Sequence, residues 1–177
     1  MKKLMLAASA CALMAGAASA EDVKIGILIG FTGPIESLTG HMANAAEAAM
    51  AEVNASGKAK NNYISVRGDD TCTDAAAATA ATERAVTAEG VKGIIGGDCS
   101  GVTRAMLTNV AMPNGIVMVS PSATSPALTA DPDNGLFFRT APSDAREGEV
   151  MADILTEKGV KSIALTYSNS DYGKGLA

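Results

Sequence analysis

Short apolar runs alternate with alanine-rich stretches along this chain, and the longer stretches stop at glycine. Residues 23–30, VKIGILIG, are apolar at nearly every position after Lys24, as in a strand covered on both faces. The same reading predicts strands over 63–69 (YISVRGD), 91–96 (VKGIIG), 115–120 (GIVMVS) and 162–167 (SIALTY), with LFFRT at 136–140 short and extended. Between them, helices are predicted over about 39–55, stopped by Gly57, over 75–89, capped by Asp74 and ended by Gly90, and over 101–111. A last helix begins after Ser143 and runs to Lys158, with Gly159 behind it. Strand and helix in strict alternation imply an α/β fold with a doubly wound parallel sheet. Ligands on such sheets gather at the carboxyl ends of the strands.

The first twenty residues, MKKLMLAASACALMAGAASA, carry the layout of a secretory signal. Lys2 and Lys3 precede an apolar segment from Leu4 to Met14, and Ala18-Ser19-Ala20 forms an A-x-A cleavage site. The apolar segment is too short to span a bilayer. The chain from Glu21 onward is therefore expected to be exported, cleaved and not inserted in the membrane. Cys11 leaves with the signal. Cys72 and Cys99 remain, an even number in an oxidising compartment, which favours a disulfide. Closing that loop stabilises a fold by about 3–4 kcal/mol on the chain-entropy model.

Losing two lysines and no acid moves the formal charge from −5 to −7. An acidic surface argues against nucleic acid and anionic membranes as partners. With no tryptophan and only three Phe and three Tyr, the chain has few rings on which to stack a sugar. Nothing in the pattern calls for a cofactor.

Candidate site residues collect where strands end. Gly97-Asp98-Cys99-Ser100-Gly101 reads G-x-C-x-G, the thiol form of a nucleophile elbow. A thiolate needs a base, and the single histidine, His41, lies upstream on the first predicted helix. A structural bridge to Cys72 is the stronger reading, and a secreted Cys99-dependent hydrolase the weaker one. Ser100 opens a helix, where free backbone N–H groups favour an anion; it either grips a carboxylate there or caps the helix. SPSATSP, 120–126, offers hydroxyls and backbone groups, or is a plain proline turn. Asp69-Asp70 has no companion ligands at metal spacing, so no metal is expected there.

Taken together, IGILIGFTGP, DDTCTD, GIIGGDCSGVT, IVMVSPSATSPALT, FFRTAPSD and IALTYSNSDYGKGLA resemble, in order and spacing, the extracellular solute-binding proteins of branched-chain amino-acid ABC transporters. The resemblance runs over 21–177, and SPSATSPALT and DYGKGLA are its specific parts. It implies a two-lobe fold closing on its solute, with 21–140 as the ligand-binding first lobe and 141–177 the start of a truncated second. It implies a Cys72–Cys99 disulfide, a carboxylate contact from Ser100 beside Gly101, and ammonium and carboxylate contacts from Ser122, Ala123 and Thr124. Tyr172 would close over the ligand from the second lobe. Leu38 stands near the position where relatives place a large aromatic. The implied function is capture of an amino acid or related small carboxylate or amide for an inner-membrane ABC permease, without catalysis. A sensor or regulator ectodomain of the same fold is the alternative. Ile154, Leu155, Ile163 and Leu165 are expected to expose apolar surface.

Overall fold

The computed structural model describes residues 21–177, so the signal-like stretch 1–20, with Cys11, lies outside the described residues. Five strands form one sheet: β1 (Asp22–Ile29), β2 (Asn62–Asp69), β3 (Gly93–Gly96), β4 (Val117–Ser120) and β5 (Phe137–Arg139). Their order is β2-β1-β3-β4-β5 and every pairing is parallel. The helices are α1 (Glu36–Ala55), α2 (Ala75–Thr87), α3 (Ser100–Met106), the four-residue α4 (Ala127–Ala130), α5 (Asp144–Glu157) and the short α6 (Asp171–Leu176). The chain is the expected α/β fold with a doubly wound parallel sheet.

Strand alternation sorts the core into two layers. On β1, Leu28 points to one face and Ile27 and Ile29 to the other, all three essentially sealed from solvent. Leu28 packs with Ala78 and Ala85 of α2, Val102 and Met106 of α3, and Ile94 and Met118 of the neighbouring strands. Ile27 and Ile29 meet Ala43, Met42 and Met50 of α1. Small residues at the contacts let these alanine-rich helices lie close to the sheet. Gly96 serves the same end in backbone form: a Cβ there would sit 1.9 Å from the Leu28 carbonyl oxygen, so only glycine lets β3 run beside β1.

Several boundaries move, each for a hydrogen-bonding reason. β3 starts at Gly93 because the Val91 N–H closes the end of α2 on the Ala85 carbonyl, 3.1 Å away. α3 begins at Ser100 and widens into a π turn over Leu107–Ala111, which takes the Ile116 N–H and delays β4 to Val117. The expected strand at 162–167 is not formed. A strand needs a neighbour to satisfy its N–H and C=O groups, and among the described residues none lies beside this segment. Ile163, Leu165 and Tyr167 are 60%, 57% and 59% exposed in consequence. Ile154 is also exposed, whereas Leu155 is half-buried.

Candidate functional site

The sheet order reverses direction between β1 and β3, and the crevice at their carboxyl ends is where such sheets take ligands. Three segments meet there: the end of β1 at Gly30, the β2–α2 loop with Cys72, and the β3–α3 turn carrying Cys99 and Ser100. Cys72 and Cys99 form a disulfide with their Cα atoms 5.1 Å apart. Thr71 and Cys72, at φ 60° and 63°, take left-handed backbone to reach it. Asp69 Oδ1 and Asp70 Oδ1 hold that loop by accepting from Thr71 N (2.9 Å) and Cys72 N (2.8 Å). The bridge uses both sulfurs, so Cys99 has no thiol and the hydrolase reading loses its nucleophile. Cys72, Cys99 and Asp98 bring donor atoms within 4.8 Å of one another, but a bridged pair offers a metal no thiolate.

The two adjacent aspartates part company. Asp69 turns outward to Thr32, whose hydroxyl donates to Oδ2 at 2.6 Å. Burial would raise its carboxyl, but the hydrogen bonds from Thr32 and Thr71 outweigh that and hold it below the ordinary range. Asp70 turns inward to Asp98, and both side chains are buried, at 0% and 3% exposed.

The β3–α3 turn and the β4–α4 loop are stitched together. Ser120 Oγ donates to the Gly97 carbonyl, and Ser122 Oγ donates to the Asp98 carbonyl at 2.9 Å. Ser125 N donates to Ser100 Oγ at 3.2 Å. Cys99, not Ser100, takes the N-cap position of α3, and it makes no side-chain cap bond. Ser100 is the first helical residue, and its hydroxyl reaches across to Ser125. Thr124 is held from the other side: its Oγ1 donates to Asp144 Oδ2 (2.9 Å) and its carbonyl accepts from Asp144 N (3.0 Å). Arg139 Nη1 donates to the carbonyls of Ala123 and Ser125 at 3.2 and 3.0 Å, pinning the same loop.

The two hydroxyls are thereby poised with opposite polarity. Ser100 Oγ accepts from a backbone N–H, which leaves its proton available as a donor. Thr124 Oγ1 spends its proton on Asp144, which leaves lone pairs to accept.

The sequence-predicted residues Ser100, Gly101, Ser122, Ala123 and Thr124 stand together on this edge. α6 packs over it: a Cβ on Gly101 would lie 3.8 Å from Asp171 Cβ, and one on Gly175 would lie 2.8 Å from Ser125 Oγ. Tyr172, half-exposed, is carried on that helix. Arg104 bridges the two sides, with Nε 2.7 Å from Asp131 and Nη1 3.9 Å from Asp171. Leu38 stays out on the first turn of α1, more than half exposed. Ser100 is sealed in this arrangement, and a groove of about 320 Å³ lies on the far side of the loop, lined by Thr124, Pro142, Val150 and Ile154 but not by Ser100. Asp69-Asp70, weighed in the sequence only as a metal pair and set aside, hydrogen-bond their own loop; Asp98, Arg139 and Asp144 had no role in the sequence reading, and GGD after a strand was the available hint for Asp98.

With that edge described, comparison with known proteins gives the class. The chain belongs to the periplasmic binding protein family, whose model matches residues 22–177. It is 33% identical over 177 residues to the Leu/Ile/Val-binding proteins of Citrobacter freundii and Escherichia coli, covering 99% of this chain and 47% of each relative. The chain thus spans about half the length of the curated relatives it matches. Among solved structures, it is similar to a branched-chain amino acid transporter substrate binding protein of Streptococcus pneumoniae in complex with isoleucine, at 29% identity and a TM-score of 0.77. That match covers 88% of this chain and 44% of the other. An ABC transporter substrate-binding protein of Desulfitobacterium hafniense, in complex with Leu, is similar at 28% identity, TM-score 0.71 and coverage of 88% and 45%. A Rhodopseudomonas palustris solute binding protein in complex with 4-hydroxybenzoate, 18% identical at TM-score 0.76, shares the fold.

Proposed function

We propose that this chain captures an amino acid, branched-chain by default, in the periplasm and hands it to an inner-membrane ABC permease, with no chemical step of its own. The observation that carries the reading is the opposed polarity of two neighbouring hydroxyls. Ser100, free to donate beside the first-turn N–H groups of α3, suits a carboxylate. Thr124, free only to accept, suits an ammonium. A zwitterionic amino acid presents both groups on adjacent carbons. A plain carboxylic acid would leave Thr124 unpaired when buried, and an amine would leave Ser100 so, each at a cost of about 1–3 kcal/mol.

In this reading Gly101 and Ser122 complete the carboxylate side, the Ala123 carbonyl joins Thr124 on the ammonium, and Tyr172 covers the solute from above. Residues 21–140 form the capturing lobe and 141–177 open the second lobe, with 1–20 a cleaved export signal. Among the described residues no helix is long and apolar enough to cross a membrane. Leu38, aliphatic and exposed, would border the side-chain end of the site and leave room for a branched aliphatic solute. The names of the relatives support branched-chain amino acids as the first solutes to test.

The test is calorimetric titration of the whole protein with leucine, isoleucine, valine, benzoate, a short amide and urea. Binding of the three amino acids with 4-methylpentanoate at least tenfold weaker than leucine is expected. Binding of benzoate or urea alone would overturn the amino-acid assignment, and a strong response to a partner signalling domain rather than a permease would favour a sensor.

A further inference from the structure

Asp70 and Asp98 are buried, face each other, and are used by nothing in the reading above. Each is anchored to backbone from several elements. Asp98 Oδ2 accepts from Gly30 N at 2.8 Å, and its Oδ1 from Cys99 N at 2.8 Å. Asp70 Oδ1 accepts from Cys72 N at 2.8 Å, and its Oδ2 from Asp98 N at 3.4 Å. The two carboxyls thus share one pocket of backbone donors. Gly30 lies against both: a Cβ there would be 3.2 Å from Asp98 Oδ2 and 3.3 Å from Asp70 Oδ1. Among the described residues neither carboxyl meets a cation. Two such groups in contact, without a cation, cannot both ionise at neutral pH, so one carries a proton.

We propose that Asp70 and Asp98 are positioning residues for solute binding, a strut that ties the ends of β1 and β2 to the turn from which Ser100 and Ser122 act. The path is short. Asp98 holds Cys99 N directly, Ser100 follows in sequence, and Ser122 Oγ rests on the Asp98 carbonyl. When the pair becomes doubly charged, the repulsion falls on the turn carrying both serines. The site role rests on the proposed function; the strut itself does not.

The neighbouring charges leave the pair alone. Burial first, and then the charge of Asp98, push the Asp70 carboxyl up to about 8. Asp69, turned to Thr32 and Thr71, is held low. Cys72 and Cys99 are bridged, Asp74 caps α2 through Ala76 and Ala77, and Arg104 faces Asp131 and Asp171. The single histidine, His41, lies on α1.

Amide hydrogen exchange on the whole protein tests the strut with no ligand present. Protection factors of Gly30, Cys99 and Thr103, whose N–H groups are held by Asp98 or by the turn, should fall at least tenfold between pH 5.5 and 7.5, within the limit of about tenfold per pH unit for one ionising group. Those of Ile27 and Met118 in the core should fall less. Asp70→Asn, which mimics the neutral acid, should hold the turn protected across the range. Should that variant fail to fold, the wild-type pH profile decides alone. A flat profile, or turn and core amides falling together, overturns the proposal. Leucine titrations from pH 5.5 to 9 then separate the two readings. Affinity should hold while the closed pair keeps its proton and weaken above about pH 8, and leucine binding that is flat through pH 9 overturns the site role, whereas a pH-dependent turn without leucine binding keeps the strut and removes the amino-acid assignment.

Discussion

Opening the Cys72–Cys99 bridge should destabilise the protein by an amount that its loop length fixes. The cysteines are 27 residues apart, and closing a loop of that size removes about 3.5 kcal/mol of unfolded-state entropy at 25 °C. Some of this is offset. Thr71 and Cys72 sit in left-handed backbone, which costs roughly 1 kcal/mol or more for each residue with a side chain. If the loop relaxes once freed, part of that strain is released. The carboxylates of Asp69 and Asp70 still hold both N–H groups, so relaxation will be incomplete. The net loss should be about 2–3.5 kcal/mol, which for a chain of this size lowers Tm by roughly 4–14 °C. The assay is thermal unfolding of the whole protein, oxidised, fully reduced, and as Cys72→Ala/Cys99→Ala. Alkylation before and after reduction counts the free thiols: none at Cys72 and Cys99 before, one at each after. A change under about 1 kcal/mol with the thiols shown to open would refute the loop-closure argument.

Removing the donor with Ser100→Ala should weaken leucine roughly 5- to 150-fold, the effect of an unpaired buried carboxylate oxygen, and an unchanged Kd would remove Ser100 from the site. Thr124→Val takes away the acceptor, so leucine should weaken about tenfold while 4-methylpentanoate, freed of an unpaired acceptor, binds no more weakly than before; equal losses for both would contradict the polarity assignment. Gly96→Ala forces a Cβ to within 1.9 Å of the Leu28 oxygen, and β1 and β3 must part to admit it. A loss of about 3 kcal/mol or more in urea unfolding is expected, and a shift within 0.5 kcal/mol would contradict the packing. The folded-state value of Asp70 lies above its unfolded one, so its stabilisation is complete below about pH 4 and is lost as the pH rises to about 8. The urea midpoint should therefore decline from pH 5 to 8 beyond what Asp70→Asn shows, and parallel curves would refute that sign.

What the sequence reveals of the fold is what a segment decides on its own. Asp74 caps α2 by accepting from Ala76 and Ala77, and Ser143 caps α5 through Ala145, as a residue's own backbone neighbours dictate. The apolar run at 23–30 folds as β1 because both faces find helices. The run at 162–167 has the same pattern and forms no strand, since pairing belongs to two segments and the pattern describes one. The serines of the site were legible because they follow strands directly. Asp70 and Asp98 were not: they stand 28 residues apart, and nothing local announces that two acids will be buried face to face. Thr39 was read as the start of a helix, yet it is a core residue one turn inside α1 whose hydroxyl donates to the Gly30 carbonyl at 2.9 Å.

The unpaired segment at 162–167 also bears on how the chain behaves in a test tube. Ile163, Leu165 and Tyr167 are exposed on a segment that pairs with no strand among the described residues. Two copies can satisfy each other there, in either direction and without a fixed register. Concentration then becomes a variable in its own right. Dilute samples should melt and recover, while concentrated ones should cloud on warming, and a charge placed at Leu165 should postpone the clouding without altering the sheet.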